Sequence, residues 1–193
     1  MGTEDRSNRL EEVLRKRQPD LTVVMENIHD PHNVSAMLRS CDAAGVMQVQ
    51  LVYTIDEFPD IGKKSSASAS KWITRRKFDS IGDCVSTLRR EGFLILATHL
   101  GGRSKLLYDL DLSAKVALVF GNEHRGVSDE FAAAADGNFQ IPMQGIIQSL
   151  NVSVACAVTL FEAVRQRSGR GHYDKPKLGP QELRELLAEW KKQ

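Results

Sequence analysis

The sequence predicts an α/β fold with a largely parallel sheet. Short unbroken apolar runs, such as 93–97 and 116–120, read as strands buried on both faces rather than as alternating half-buried ones. Longer segments with helical spacing separate them, opened by Asp, Ser or Pro and closed by Gly. The 193 residues, 41% of them hydrophobic, are enough for one substantial core.

In chain order, Leu10, Val13 and Leu14 share a helix face, so a first helix is expected over about Asn8 to Gln18, capped by Ser7 or Asn8 and ended by Pro19-Asp20. Leu21 to Glu26 is a strand. Asp30-Pro31 opens a second helix that runs to Ala44 and stops at Gly45. Gln48 to Tyr53 is a strand, and Thr54 to Ser70 is a long Ser-, Lys- and Gly-rich loop of the kind that usually serves function. Trp72 to Phe78 reads as a strand, Asp79 as the cap of a helix reaching Glu91, and Phe93 to Thr98 as a buried strand. After the loop from His99 to Lys105 come a strand at Val116 to Phe120, a short helix from near Ser128 and a strand at Phe139 to Met143. The longest helix is expected from Ser149 to Arg167. An amphipathic helix from Gln181 to Lys191 closes the chain, with Leu183, Leu186, Leu187 and Trp190 on one face. The two end helices read as additions to the α/β core.

The longest apolar runs are five residues, whereas a bilayer span needs about 18 to 20, so no membrane segment is expected. The charged N-terminus does not read as a secretory signal. Cys41, Cys84 and Cys156 are too far apart for a zinc or disulfide pattern and suit a reducing cytoplasm. The formal net charge of +1 conceals clusters: six basic residues and no acid from Lys63 to Lys77, and five basic residues against Asp174 from Arg165 to Lys177. Arg6, Arg9, Arg15, Lys16 and Arg17 add a third, balanced by five acids between Glu4 and Asp20. Such clusters track a phosphate backbone or are simply solvated surface.

Ligands of open parallel sheets bind at the carboxyl ends of strands. Four loops there are polar or Gly-rich: His29 to Asn33, Thr98 to Arg103, Gly121 to Gly126 and Met143 to Asn151. Neither a dinucleotide-binding G-x-G-x-x-G nor a P-loop is present. Instead, Gly121-Asn122-Glu123-His124-Arg125-Gly126 sets a carboxylate between two glycines that let backbone approach a ligand. His29 and His32 have metal-like spacing but no third ligand nearby, so no metal is expected. Cys41 and Cys156 read as small core residues. Arg39, two turns into the second helix among apolar and small neighbours, needs a partner, either a structural carboxylate or a substrate. Ser149 and Asn151 are helix caps or site residues.

Taken together, these residues form three ordered motifs. The stretch from Asp30 to Arg39 closing at Gly45, the stretch from Phe120 to Gly126, and Ile141-Pro142-Met143 with Gly145, Ser149 to Ser153 and Glu162 resemble the three motifs of the SPOUT RNA methyltransferases. The resemblance covers about Leu21 to the end of the long helix. The flanking helices further resemble the branch that methylates the ribose 2′-hydroxyl of guanosine 18 in tRNA. It implies an α/β parallel-sheet SPOUT fold with a C-terminal deep trefoil knot and helical extensions at both ends. The expected division is a basic RNA-binding extension at 1–20, a methyltransferase domain at 21–168 and a C-terminal extension at 169–193. A cytoplasmic homodimer acting on tRNA, without membrane or metal, is implied.

By the same resemblance S-adenosylmethionine binds at Thr98, Leu100, Gly121, Ile141 and Leu150. Arg39 activates the hydroxyl, as a base or by stabilising the alkoxide, and Asn33 orients it. Glu123, Ser149 and Asn151 shape the site, and Arg9, Arg17, Arg165 and Arg167 contact RNA. Arg165 and Arg167 are about 200° apart on an ideal helix, so they cannot share one face. The alternatives are the same chemistry on ribosomal RNA or another tRNA position, or RNA binding without catalysis.

Overall fold

The computed structural model describes residues 3–55, 57–59, 61, 69–101 and 104–192. The strands are β1 Leu21–Glu26, β2 Gln48–Val52, β3 Thr74–Phe78, β4 Leu94–Thr98, β5 Lys105–Leu106, β6 Val116–Phe120 and β7 Gly137–Gln140. The helices are α1 Thr3–Arg15, α2 Pro31–Ala43, α3 Ala69–Trp72, α4 Ile81–Arg90, α5 Asp129–Ala134, α6 Val152–Gly169 and α7 Pro180–Trp190. Every strand pairing is parallel, in the order β3-β2-β1-β6-β4-β7-β5. The expected α/β class with a parallel sheet is the one observed.

Strand alternation sorts the core onto two faces. Val23 and Met25 of β1 join the cluster packed under α2 and α6, with Val34, Met37, Leu38, Cys41, Cys156, Leu160 and Ala163. Val24, between them, joins the opposite cluster with Ile81, Val85 and Leu88 of α4 and Phe131 of α5. Among the described residues no helix is long and apolar enough to cross a membrane. Helix α2 begins where Asp30 accepts a hydrogen bond from the His32 amide at 2.8 Å. It ends at Gly45, whose φ of +80° suits glycine, and where a Cβ would lie 2.8 Å from the Lys16 carbonyl.

Several boundaries differ from the sequence reading, for local reasons. Helix α1 starts at Thr3, the acids Glu4 and Asp5 favouring its first turn. The cap of α4 is Ser80, not Asp79; its hydroxyl accepts from the Asp83 amide at 3.1 Å. Trp72 belongs to the short α3 because its ring packs 4.9 Å from that of Trp190. Strand β7 ends at Gln140 rather than reaching Met143, since Pro142 has no N–H for a ladder. Helix α6 starts at Val152, with Asn151 as its cap. The short edge strand β5 had no sequence signal. Of the long loop, 62–68 lies outside the described residues, as do Lys63, Lys64 and Arg103.

The two ends of the chain make one unit. Leu10 and Leu14 of α1 pack with Trp190 of α7, and Leu183, Leu186 and Leu187 close the cluster. Two arginines fasten this unit to the sheet, and both are fully buried. Arg17 donates to the Val46 carbonyl at 2.8 Å and to Asp42 at 2.5 Å, and its guanidinium lies 5.2 Å over the Trp190 ring. Arg167 spends its five donors on the Leu112, Ala114 and Asp20 carbonyls, the Gln18 side chain and the Asp20 carboxylate. Burial would raise the Asp20 carboxyl, but hydrogen bonds from Lys177 and Arg167 hold it below the usual range.

The expectation that Arg17 and Arg167 contact RNA is therefore corrected. Both are interior clamps, and basic residue type alone does not reveal that. Arg167→Ala should destabilise the fold by about 3–5 kcal/mol, because it leaves the Leu112, Ala114 and Asp20 carbonyls and the Gln18 side-chain oxygen without their donor, Lys177 alone still pairing the Asp20 carboxylate. Denaturant unfolding reads this directly; a loss under about 1 kcal/mol, the level of surface pairs, would contradict it. Because the Asp20 pKa is depressed on folding, its contribution holds above the ordinary carboxylate range and disappears as pH falls below it.

Candidate functional site

At the carboxyl ends of β4, β6 and β7 lies a cavity of about 640 Å³, the size range of small-molecule sites. Thr98, Leu100, Gly121, Ile141 and Leu150 all line it, so the five positions expected to hold a cofactor meet in one place. Glu123, Ser149 and Asn151 line it as well. Thr98 is turned by its hydroxyl, which donates to the Val119 carbonyl at 3.0 Å. Gly121 must lack a side chain: a Cβ there would fall 2.1 Å from the Gly126 carbonyl oxygen and the Val127 nitrogen. Leu100, Ile141 and Leu150 offer apolar walls that are not closed off by protein, Leu100 being exposed.

The carboxylate of Glu123 ties this cavity to α2. It accepts from the backbone amides of His29 at 3.0 Å and Asp30 at 3.1 Å, and from the Asn33 side-chain amide at 2.9 Å. Burial would raise its pKa, but the bonds from Asn33, His29 and Asp30 outweigh it and hold the carboxyl below its ordinary value. The chain continues: the Asn151 side-chain amide donates to Asn33 at 3.1 Å. The other Asn151 atom, its oxygen, accepts from the Ser153 and Val154 amides and so caps α6. One carboxylate and two asparagines thus lock the 121–126 loop, the head of α2 and the head of α6 together.

Arg39 does not line the cavity. It sits exposed on α2 and forms no ion pair or hydrogen bond among the described residues. Asn33 does not orient it. The two are about 120° apart around the helix and about 9 Å apart along it, and Asn33 is committed to Glu123 and Asn151. Arg9 and Arg165 are exposed, paired with Glu12 and Glu162 respectively. Ser149 is exposed and has no hydrogen bond among the described residues. His29 enters through its backbone and His32 is exposed; no group of three metal-type ligands occurs among the described residues. All three thiols are free and buried, and burial pushes Cys84 up to about 12, far from a nucleophile's range.

Two contributors had escaped attention. Asn122 accepts from the His124 and Arg125 amides and donates to the Asn27 carbonyl at 2.8 Å, folding the loop around itself. Asn27 has a positive φ of 48°, and its side-chain oxygen accepts from the amides of Thr54 and Ile55. An asparagine directly after a buried strand was the available signal, since it tolerates left-handed backbone.

Comparison with known proteins supports the resemblance. Residues 20–161 match the model of the SpoU rRNA Methylase family. A tRNA (guanosine(18)-2′-O)-methyltransferase from Thermus thermophilus is 46% identical, the match covering 97% of this chain and 96% of the relative. The crystal structure of an Aquifex aeolicus TrmH/SpoU tRNA modifying enzyme superposes with a TM-score of 0.92 at 38% identity, covering 98% of this chain and 96% of that one. The SpoU methyltransferase AviRb from Streptomyces viridochromogenes, solved in complex with AdoMet, gives 0.67 at 26% identity over 80% of this chain and 59% of its own.

Glu123→Gln tests the tie. An amide keeps one acceptor oxygen but presents a donor where the second oxygen met a backbone N–H. Exchange of the His29 and Asp30 amide hydrogens should accelerate about ten- to a hundredfold, the loss of one charge-assisted bond. Unchanged exchange would mean that α2 is held elsewhere.

Proposed function

The chain belongs to the SpoU rRNA Methylase family, and we propose that it transfers a methyl group from S-adenosylmethionine to the ribose 2′-hydroxyl of guanosine 18 in tRNA. The observation that carries this reading is the extent of the Thermus match. The family model spans residues 20–161, whereas that match covers 97% of the chain and so takes in both terminal helices. The ribosomal RNA alternative has no comparable support from the extensions.

S-adenosylmethionine, when bound, supplies the methyl group on a sulfonium centre. Thr98, Leu100, Gly121, Ile141 and Leu150 are the residues to hold it, and their mix of strand-end backbone and apolar walls fits a nucleoside with an aliphatic arm. Ser149, at the cavity wall with an uncommitted hydroxyl among the described residues, is placed to bond the incoming ribose. Glu123, Asn33 and Asn151 are positioning residues: they hold the walls and the helix heads, and all three are spent on protein groups.

Arg39 is assigned to the hydroxyl. An arginine stays protonated in proteins, so it stabilises the developing alkoxide while the proton leaves to the nucleotide's phosphate or to water. Its absence from its own chain's cavity is met if a second copy supplies it. We therefore read the protein as a homodimer. An apolar stripe on the outer face of α6 supports this: Val154 is 46% and Phe161 53% exposed, with Val158 between them, and Ile146 and Ile147 are exposed nearby. Arg9 and Arg165, both on the surface, serve as RNA contacts. The deep trefoil knot belongs to the same proposal, supported by two loops, 121–126 and 143–151, converging on one cavity. So do a cytoplasmic setting, which free buried thiols favour, and the division at residues 20 and 168.

Incubation with labelled S-adenosylmethionine and separate tRNA and ribosomal RNA pools should place label on tRNA, at the 2′-oxygen of guanosine 18. Label confined to ribosomal RNA would refute the substrate. Arg39→Ala should abolish turnover with cofactor affinity unchanged, and Arg39→Lys should fail too, because an ammonium lacks the planar fork. Substantial turnover by the Lys variant would show that charge alone suffices.

A further inference from the structure

The run of basic residues ending at Lys77 is divided by the sheet. Arg76 of β3 pairs with Gln50 of β2 and points to the α4 face, where Glu91 binds it at 2.6 Å and Gln48 and Gln50 take its other donors. On that same side Arg89 is paired with Asp136 at 2.8 Å. Arg75 and Lys77 are opposite Val49 and Leu51, residues of the core under α2, so they lie on the other face. Lys77 reaches over the Phe58 ring at 5.5 Å, and Phe58 packs against that same core. Lys71 is carried on α3, which packs beside α2.

Arg39, Lys71, Arg75 and Lys77 are therefore on one side of the sheet, all exposed. None of the four forms an ion pair among the described residues, as is also true of scattered exposed cations such as Arg6, Arg90 and Arg184. No acid occurs between Lys63 and Lys77; Glu57 is the described acid that precedes them and makes no ion pair with them. Cations without an ion pair among the described residues, gathered on one face while Arg76 and Arg89 on the reverse are paired, make an oriented surface. Arg75 and Lys77 are about 6.6 Å apart along the strand, a spacing suited to neighbouring phosphates on one nucleic-acid strand. Strand β3 stands three spacings, about 14 Å, from β6 and its cavity loop.

We infer that Lys71, Arg75 and Lys77 form a phosphate-binding strip, along which the backbone of the substrate RNA runs from Arg39 over α3 to the β3 edge. The inference rests on the tRNA reading above and names contacts that the three motifs do not contain. Among the described residues near the strip, Ile55 is the strongly exposed apolar side chain, at 69%, while Phe58 is packed into the core beneath Lys77. Charged residues on an edge strand also discourage sheet-to-sheet pairing, and that is the rival explanation.

The test is tRNA binding at several salt concentrations by wild type, by Arg75→Ala with Lys77→Ala, and by the triple variant adding Lys71→Ala. Each lost phosphate contact should flatten the slope of log K against log salt by about 0.7–0.9, with affinity falling at low salt. S-adenosylmethionine affinity and the unfolding midpoint should not change. Reversing both charges, Arg75→Glu with Lys77→Glu, should weaken binding further. Lys115→Ala, at the amino end of the central strand β6, should match wild type. Unchanged affinity and slope in the triple variant, with or without aggregation, would overturn the inference. Position-mapped methylation by wild type, scored in the same tRNA, separates the two claims: absent label refutes the tRNA reading, whereas intact label with unchanged variant binding refutes only the strip.

Discussion

The Glu123 carboxylate is the constraint from which the rest of the site follows. Three loops arrive at the carboxyl ends of the strands with nothing in their backbones to keep them in register. One anion accepting two main-chain amides and one side-chain amide fixes two of them, and Asn33 passes the constraint on to Asn151 and the third. Bonds to a charged acceptor are worth about 1.5–3 kcal/mol each, several times an exposed ion pair. The two amides stand at the head of α2, where the helix dipole further favours a negative charge. A glutamate between two glycines is thus a structural requirement here before it is a chemical one.

Fixing α2 at its head also decides where Arg39 goes. The buried face of that helix is taken by Val34, Met37, Leu38 and Cys41, so the residue at position 39 has to face outward. The guanidinium has no ion-pair partner among the described residues and does not line the cavity. On the proposed reading, a single chain brings the five expected cofactor positions to one cavity but leaves Arg39 outside it. The apolar stripe on α6, which packs beside α2, gives a second copy a surface to cover. The same face carries the cations of α3 and β3 that have no ion pair among the described residues. On this reading, dimer contact, RNA approach and the reacting hydroxyl share one side of the sheet, and α4 and α5 on the reverse serve packing.

The parallel sheet and the start of α2 were legible because they depend on local chemistry. Asp30-Pro31 and Gly45 bound α2 through capping and positive φ, and unbroken apolar runs can only be strands covered on both sides. The five cofactor positions converge because their motifs specify loops at strand ends. Arg17 and Arg167 were misread for a reason equally physical. Residue type gives charge, but whether an arginine is a clamp or a contact depends on acceptors brought near by other segments, as Gln18 and Asp20 are for Arg167 and Asp42 and Val46 for Arg17. The role of Asn33 failed similarly: the resemblance implied that it orients Arg39, whereas in this chain it is spent on Glu123 and Asn151, about 120° around the helix from Arg39. Asn27 was missed because its work is done by φ and by a distant loop.

The central claim is that each reaction centre combines one chain's cavity with another chain's Arg39. Co-expression of two separately inactive chains measures this directly: one carrying Arg39→Ala, the other Gly121→Val, whose side chain cannot fit against the Gly126 carbonyl. In the purified heterodimer one centre should unite the intact cavity of the first chain with the intact Arg39 of the second, restoring tRNA methylation to about half of the wild-type rate per dimer. A heterodimer that forms, binds S-adenosylmethionine and remains inactive would contradict the account.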